Sequence, residues 1–186
     1  MRSLAAISAV DFARQTQGDG LCLADYLAPP EMGKQDYVAL FVTSAGEGLR
    51  EHVERFKAAG EYLKCHALQA LAIESAEGFA ELLHARLRTM WGFPDPPELT
   101  MQQRFGAHYH GLRVSFGYPA CPRLEDQEIL FRLLQPEEIG VKLTEGYMME
   151  PEASVSALVF QHPSARYFSV DAEGLRELES AIGRGR

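Results

Sequence analysis

The sequence predicts an α+β fold, in which helices, one of them long, pack on a mostly antiparallel sheet. Three observations carry this prediction. "DYVALFVTSAG" is a β-rich apolar run bounded by proline and glycine. The stretch from Glu61 to Trp91 holds apolar residues at three- and four-residue steps. Between residues 139 and 170, short apolar runs alternate with turn residues. The short runs read as an antiparallel meander on which the helices pack, which is the pattern of an α+β domain.

The first twenty residues are weakly patterned, with "QTQGDG" as a surface turn, and they read as an N-terminal arm to a domain over 21–186. Tyr37 to Thr43 is too short for a buried helix and reads as a buried strand. "EGLREHVERFKAAG" puts Leu49, Val53 and Phe56 on one helical face and stops at Gly60. The long helix follows over about 61–91, with Leu63, Ala67, Leu71, Phe79, Leu83 and Leu87 as its predicted apolar side and "GFPDPP" as its end. His66, Glu74, Glu77, Glu81 and His84 lie on the same helix. Glu77, Glu81 and His84 share a face, which is expected to be a solvated stripe, because a metal site needs further ligands from elsewhere. A loop is expected over 104–122, then a helix in "LEDQEILFRLL" with Ile129, Leu130, Leu133 and Leu134 turned to the sheet. Apolar runs near 139–144, 147–149, 154–161 and 166–170 predict an antiparallel meander, and "DAEGLRELESAIG" a closing helix.

Composition excludes several classes of function. The chain has 186 residues, enough for one domain and one core. A net charge of −8 provides no basic excess for nucleic acid or anionic lipid. No apolar run is long enough to span a membrane, and Asp11 and Arg14 interrupt the N-terminus too early for a signal peptide, so a cytoplasmic protein is expected. Cys22, Cys65 and Cys121 are odd in number and widely spaced, which points to buried thiols and not to a disulfide framework or a zinc site.

"RVSFGYPACP", residues 113–122, is the stretch with chemical content. Arg113 has the fork that pairs a carboxylate through two hydrogen bonds, Gly117 allows close backbone approach, and the ring of Tyr118 attracts a cation. Carboxylate and cation together describe an amino-acid-like ligand. The same residues also suit a surface salt bridge beside a turn braced by Tyr118 and Pro119.

"HGLRVSFGYPACP", followed by "LFRLLQPEEIGVKLTEGYMMEPEASVSALVFQHPSARYFSV", resembles the reactivation domain at the C-terminus of cobalamin-dependent methionine synthase. That family carries an Arg-x-x-x-Gly-Tyr-Pro-Ala-Cys-Pro loop, a Leu-Thr-Glu segment, a Ser-Val-Ser strand and a His-Pro turn, and all four occur here in order. "LCLADYLAPPEMGKQDYVALFVTSAG" and "QALAIESAEGFAELLHARLRTMWGF" are similar to its upstream strand region and long helix. The resemblance spans roughly residues 21–170 and implies the family's bent sheet.

The resemblance implies an S-adenosylmethionine site. Its contacts would be Arg113, the backbone at Ser115, Gly117, Tyr118, Pro119 and Tyr167, the last brought in from the final strand. No catalytic side chain and no metal are implied, because methyl transfer from a sulfonium to a cob(I)alamin needs mainly positioning. Cobalamin would be held by a partner domain or subunit, with flavodoxin or an equivalent reductase as electron donor. Glu77 matches one of two acidic residues that face the cobalamin domain, while Ile73 stands where the other is usual. Ala107 stands where the family has an acid shortly before the arginine. The family's Asp-Trp segment, a further source of an acidic contact, lies upstream of the matched region. The chain also lacks the Asp-x-His-x-x-Gly cobalamin motif and the zinc and folate modules of methionine biosynthesis, so the resemblance implies one part of a methyltransferase system. Two alternatives are a degenerate interaction protein that keeps the fold without the ligand, and a module serving another corrinoid methyltransferase. A second copy, the cobalamin-bearing subunit or a separate N-terminal half is expected to cover the apolar faces of the strand and long helix.

Overall fold

The "SVSALVF" run forms the middle of the sheet in the computed structural model, which describes residues 10–184. This strand, β5 (Ser154–Phe160), is buried at every position. It pairs antiparallel with β1 (Val38–Ser44) on one side and with β2 (Leu112–Val114) on the other. The predicted meander is therefore corrected. β3 (Lys142–Leu143) and β4 (Met149–Glu150) form a separate two-stranded ribbon, and residues 166–170 hold no strand. Because β1 and β2 already occupy both edges of β5, the apolar segments nearest it in sequence have no ladder to join.

Side chains alternate across the sheet and divide it into two faces. Leu40, Val42, Leu112, Val114, Leu158 and Phe160 face a core that includes Leu130 and Phe131 of α4 (Gln127–Leu134), together with Leu23, Tyr26, Val141 and Phe168. Ala39, Phe41, Val155, Ala157 and Val159 face the long helix α2 (Tyr62–Met90). α1 (Leu49–Ala58) folds back onto α2.

The length of α2 agrees with the sequence reading, and Leu83 and Leu87 pack toward the sheet as predicted, but the rest of its predicted apolar side does not. Leu63 is 84 % exposed, and Leu71 and Phe79 are also exposed; the buried residues are Cys65, Ala72, Ala76, Ala80, His84 and Arg88. Hydropathy weights the large residues, whereas close packing on a sheet selects small ones. The alanines let the helix settle near enough for the Thr43 hydroxyl to donate to the Ala76 carbonyl at 3.4 Å. His84 and Glu81 are also drawn inward, so the expected solvated stripe is exposed at Glu77 but buried at His84.

The N-terminal segment from residue 10 lies against the domain; residues 1–9 fall outside the described residues. The Phe12 ring meets Phe160 edge-on at 6.0 Å, and Arg14 pairs with Asp25 at 2.6 Å. Asp171, at the start of α5 (Ala172–Arg184), accepts from the backbone N–H groups of Gly174 and Thr16, and these bonds hold its carboxyl below the usual range. A Cβ on Gly174 would stand 2.0 Å from the Arg14 carbonyl oxygen, so only glycine permits this approach.

Candidate functional site

Arg113 lies on β2 and not in a loop, paired in register with Val159 of β5. Its neighbours Leu112 and Val114 are buried in the α4-side core, so alternation turns Arg113 to the opposite face, toward α2. There both terminal nitrogens donate to Glu77 Oε2 at 3.4 Å, and Nη2 stands 3.8 Å from Glu81 Oε2. The three side chains differ in access: Arg113 is 19 % exposed, Glu77 48 % and Glu81 14 %.

Behind this cluster runs a buried polar network. Tyr109 donates its hydroxyl to Glu81 at 3.3 Å, and Glu81 Oε1 lies 3.6 Å from Arg88. Arg88, fully buried, donates from Nε and Nη2 to the two oxygens of Asp95 at 2.6 and 2.8 Å, and its guanidinium lies 3.7 Å above the Tyr109 ring. Arg104 of α3 (Met101–Phe105), a helix that the sequence did not predict and whose last two residues fall in the loop expected over 104–122, approaches Asp95 at 3.5 Å.

Burial raises the Glu81 carboxyl, opposed by Arg113 and Arg88, while the Arg88 hydrogen bond lowers Asp95. Burial pushes Tyr109 up to about 12. His84 packs edge-on to Tyr109 at 5.0 Å with neither ring nitrogen hydrogen-bonded among the described residues, and burial lowers it to about 3.

After β2 the chain turns back on itself. Gly117 N–H donates to Cys121 at 2.8 Å, and Cys121 N–H returns to Tyr118 at 2.8 Å. Gly117 has φ +83°, and a Cβ there would also meet Leu124 at 3.0 Å. Ser115 donates its hydroxyl to the Ser156 carbonyl at 2.7 Å, tying the turn to the central strand. The Pro119 carbonyl accepts from Val170 N–H at 2.8 Å, which draws the segment carrying Tyr167 alongside.

A cavity of about 180 Å³ opens between this turn, α2 and the β3–β4 ribbon. Of the residues singled out in the sequence, Glu77, Ser115 and Tyr118 line it. Arg113 stands behind Glu77, while Gly117 and Pro119 shape the turn without lining the cavity. Tyr167 is exposed on an irregular segment, where the sequence predicted a strand; burial raises its hydroxyl, opposed by a hydrogen bond from the Ala120 backbone.

The sequence reading missed the other walls: Gln127, Met148, Met149, Glu152 and Ser154 to Ser156. Gln127 is buried, donates to the Tyr147 carbonyl at 2.8 Å and accepts from the Ser156 hydroxyl. A glutamine within an apolar helical repeat was the available signal. A larger depression of about 610 Å³ near Gly46, Glu47, Glu138 and Lys142 contains none of the predicted residues, whereas Glu77, Ser115 and Tyr118 meet on the smaller cavity.

Residues 8–181 match the family model for the vitamin B12 dependent methionine synthase activation domain. Methionine synthase of Mycobacterium tuberculosis (strain ATCC 25618 / H37Rv) is 33 % identical over 170 residues, and that of Mycobacterium leprae (strain TN) 32 % over 170 residues. Each match covers 86 % of this chain and 14 % of the relative, so the chain spans about one-seventh of their length. The crystal structure of the MetH reactivation domain bound to AdoHcy superposes with a TM-score of 0.86 at 33 % identity, covering 95 % of this chain and 57 % of that one.

Proposed function

The chain belongs to the activation-domain family of vitamin B12-dependent methionine synthase, and from that premise we propose that it is an S-adenosylmethionine-binding module supporting reductive remethylation of cob(II)alamin. The observation that carries this reading is the 33 % identity, over 95 % of the chain, to a domain whose structure was solved with S-adenosylhomocysteine bound. The residues present suit such a ligand. Arg113 offers a carboxylate fork, Glu77 a counter-charge on the cavity, and Tyr118 and Tyr167 exposed rings for a cation. S-adenosylmethionine, when bound, supplies a methyl group on a sulfonium. In this proposal Arg113 holds the amino-acid head, the Ser115 backbone and the turn through Gly117, Tyr118 and Pro119 shape the wall beside it, and Tyr167 closes the outer side.

In this proposal the module comprises residues 21–186, and the N-terminal arm before it packs back on the core through Phe12 and Ala13. Cobalamin is held by a partner domain or subunit, which the exposed Glu77 faces, and the electron comes from flavodoxin or an equivalent reductase. A cytoplasmic location follows from those partners. Among the described residues no helix is long and apolar enough to cross a membrane.

Calorimetric titration of the purified chain with S-adenosylhomocysteine, alongside thermal melts with and without ligand, tests the reading. Saturable heat and a raised melting temperature are expected, since a ligand that binds only the native state stabilises it. A folded protein showing neither at millimolar ligand would replace this reading with an interaction protein.

A further inference from the structure

We propose that Glu77 is the acceptor for the ligand's α-ammonium group, so that Arg113 and Glu77 together select a zwitterionic amino-acid head and not a carboxylate alone. This deepens the S-adenosylmethionine reading and rests on it. An α-amino acid carries its two charges on one carbon, so its receptor needs a cation and an anion side by side. Glu77 Oε2 lies 3.4 Å from both terminal nitrogens of Arg113, at the edge of the cavity that Glu77 itself lines.

The two members are held differently. Arg113 is mostly buried and backed by Glu81 at 3.8 Å, and Glu81 is in turn held by Tyr109 and Arg88. Glu77 is half exposed, and among the described residues its side-chain hydrogen bonds and ion pair are to Arg113 alone. An arriving carboxylate takes the Arg113 fork, and Glu77 swings aside to the ammonium next to it. Arg113 keeps Glu81 throughout, so one loose ion pair is exchanged for two charge-assisted contacts and no charge is left unpaired. Glu152 is the other carboxylate on the cavity, but the carboxylates that pair with Arg113 among the described residues are Glu77 and Glu81, so Glu152 is not placed for this exchange.

The test is a titration of wild type, Glu77→Gln and Glu152→Gln with three probes: S-adenosylhomocysteine, its deamino analogue, and 5′-deoxy-5′-methylthioadenosine, which lacks the amino-acid head. Glu77→Gln should weaken S-adenosylhomocysteine about tenfold, the low end for a charged hydrogen bond at a half-exposed site. It should leave methylthioadenosine unchanged and the deamino analogue no weaker, while Glu152→Gln tracks wild type. Tighter binding of both carboxylate ligands by Glu77→Gln would show that Glu77 merely blocks Arg113, and equal affinities for S-adenosylhomocysteine would remove its role; either result overturns the proposal. Failure of wild type to bind S-adenosylhomocysteine would instead overturn the parent reading and this one with it. Glu77 is exposed on a helix that glutamine suits, and matching melting temperatures confirm that the variant is folded.

Discussion

Asp95→Ala tests the buried network on which the site rests. Arg88 has a side chain with no exposed area, and Asp95, 7 % exposed, takes two hydrogen bonds from it at 2.6 and 2.8 Å. Removing one partner of a buried pair costs about 3–5 kcal/mol, because the remaining charge stays desolvated. Arg88 would retain Glu81 at 3.6 Å and the Tyr109 ring face, which places the expected loss near the lower end, about 3 kcal/mol. For a chain of this size that corresponds to a fall in Tm of roughly 6–12 °C.

Urea unfolding followed by circular dichroism measures the loss. The exposed pair Arg50–Glu150, at 3.5 Å, is the control, and Arg50→Ala should change stability by less than about 1 kcal/mol. Acid should reproduce the effect in wild type. Asp95 has a lowered folded pKa, so its contribution is complete above the unfolded value near 3.9 and is lost as pH falls through the folded value below it. If Asp95→Ala costs no more than Arg50→Ala, the pair is not the buried anchor described above.

Two other perturbations separate binding from folding. Arg113→Ala should weaken S-adenosylhomocysteine by roughly 2–4 kcal/mol in calorimetry, with Arg113→Lys recovering only part because an ammonium is not a fork; unchanged affinity in the alanine variant would remove Arg113 from the ligand site. His84, lowered to about 3, stays neutral in the fold while the unfolded chain takes up its proton below about 6.5, so its contribution is present above pH 6.5 and is lost as pH falls toward about 3. His84→Leu should abolish that part of the stability loss between pH 7 and pH 5 and, by removing two unpaired buried nitrogens, leave stability at pH 7 equal or higher; identical urea-midpoint shifts in both proteins would contradict this.

α1, α2, α4 and α5 were legible because each carries a helical period with a clear start or stop, and β1 and β5 because each is a short apolar run between turn residues. β2 and α3 were not, at three and five residues, because neither is long enough to show a period. Arg113 was recognisable from its motif, but its orientation depends on pairing with a strand more than forty residues later, which no local pattern encodes. Glu81 and His84 looked like surface residues because their burial depends on how closely α2 meets the sheet. Gln127 was hidden for the opposite reason: it lies on the inward side of an amphipathic helix, where hydropathy expects an apolar residue.

The small side chains of α2 set a clearance. Ala76 and Ala80 have essentially no exposed surface and separate the helix from β1 and β5 by little more than a methyl group on each turn. That spacing places Glu77 and Glu81, carried on the same two turns, within reach of a strand arginine whose own position is fixed by the ladder. A bulkier residue at either alanine would act as a shim, lifting the carboxylates away from the guanidinium while leaving every group of the site intact. Loss-of-binding variants of this protein should therefore arise on the concealed side of the helix, at positions that a ligand-contact map would pass over.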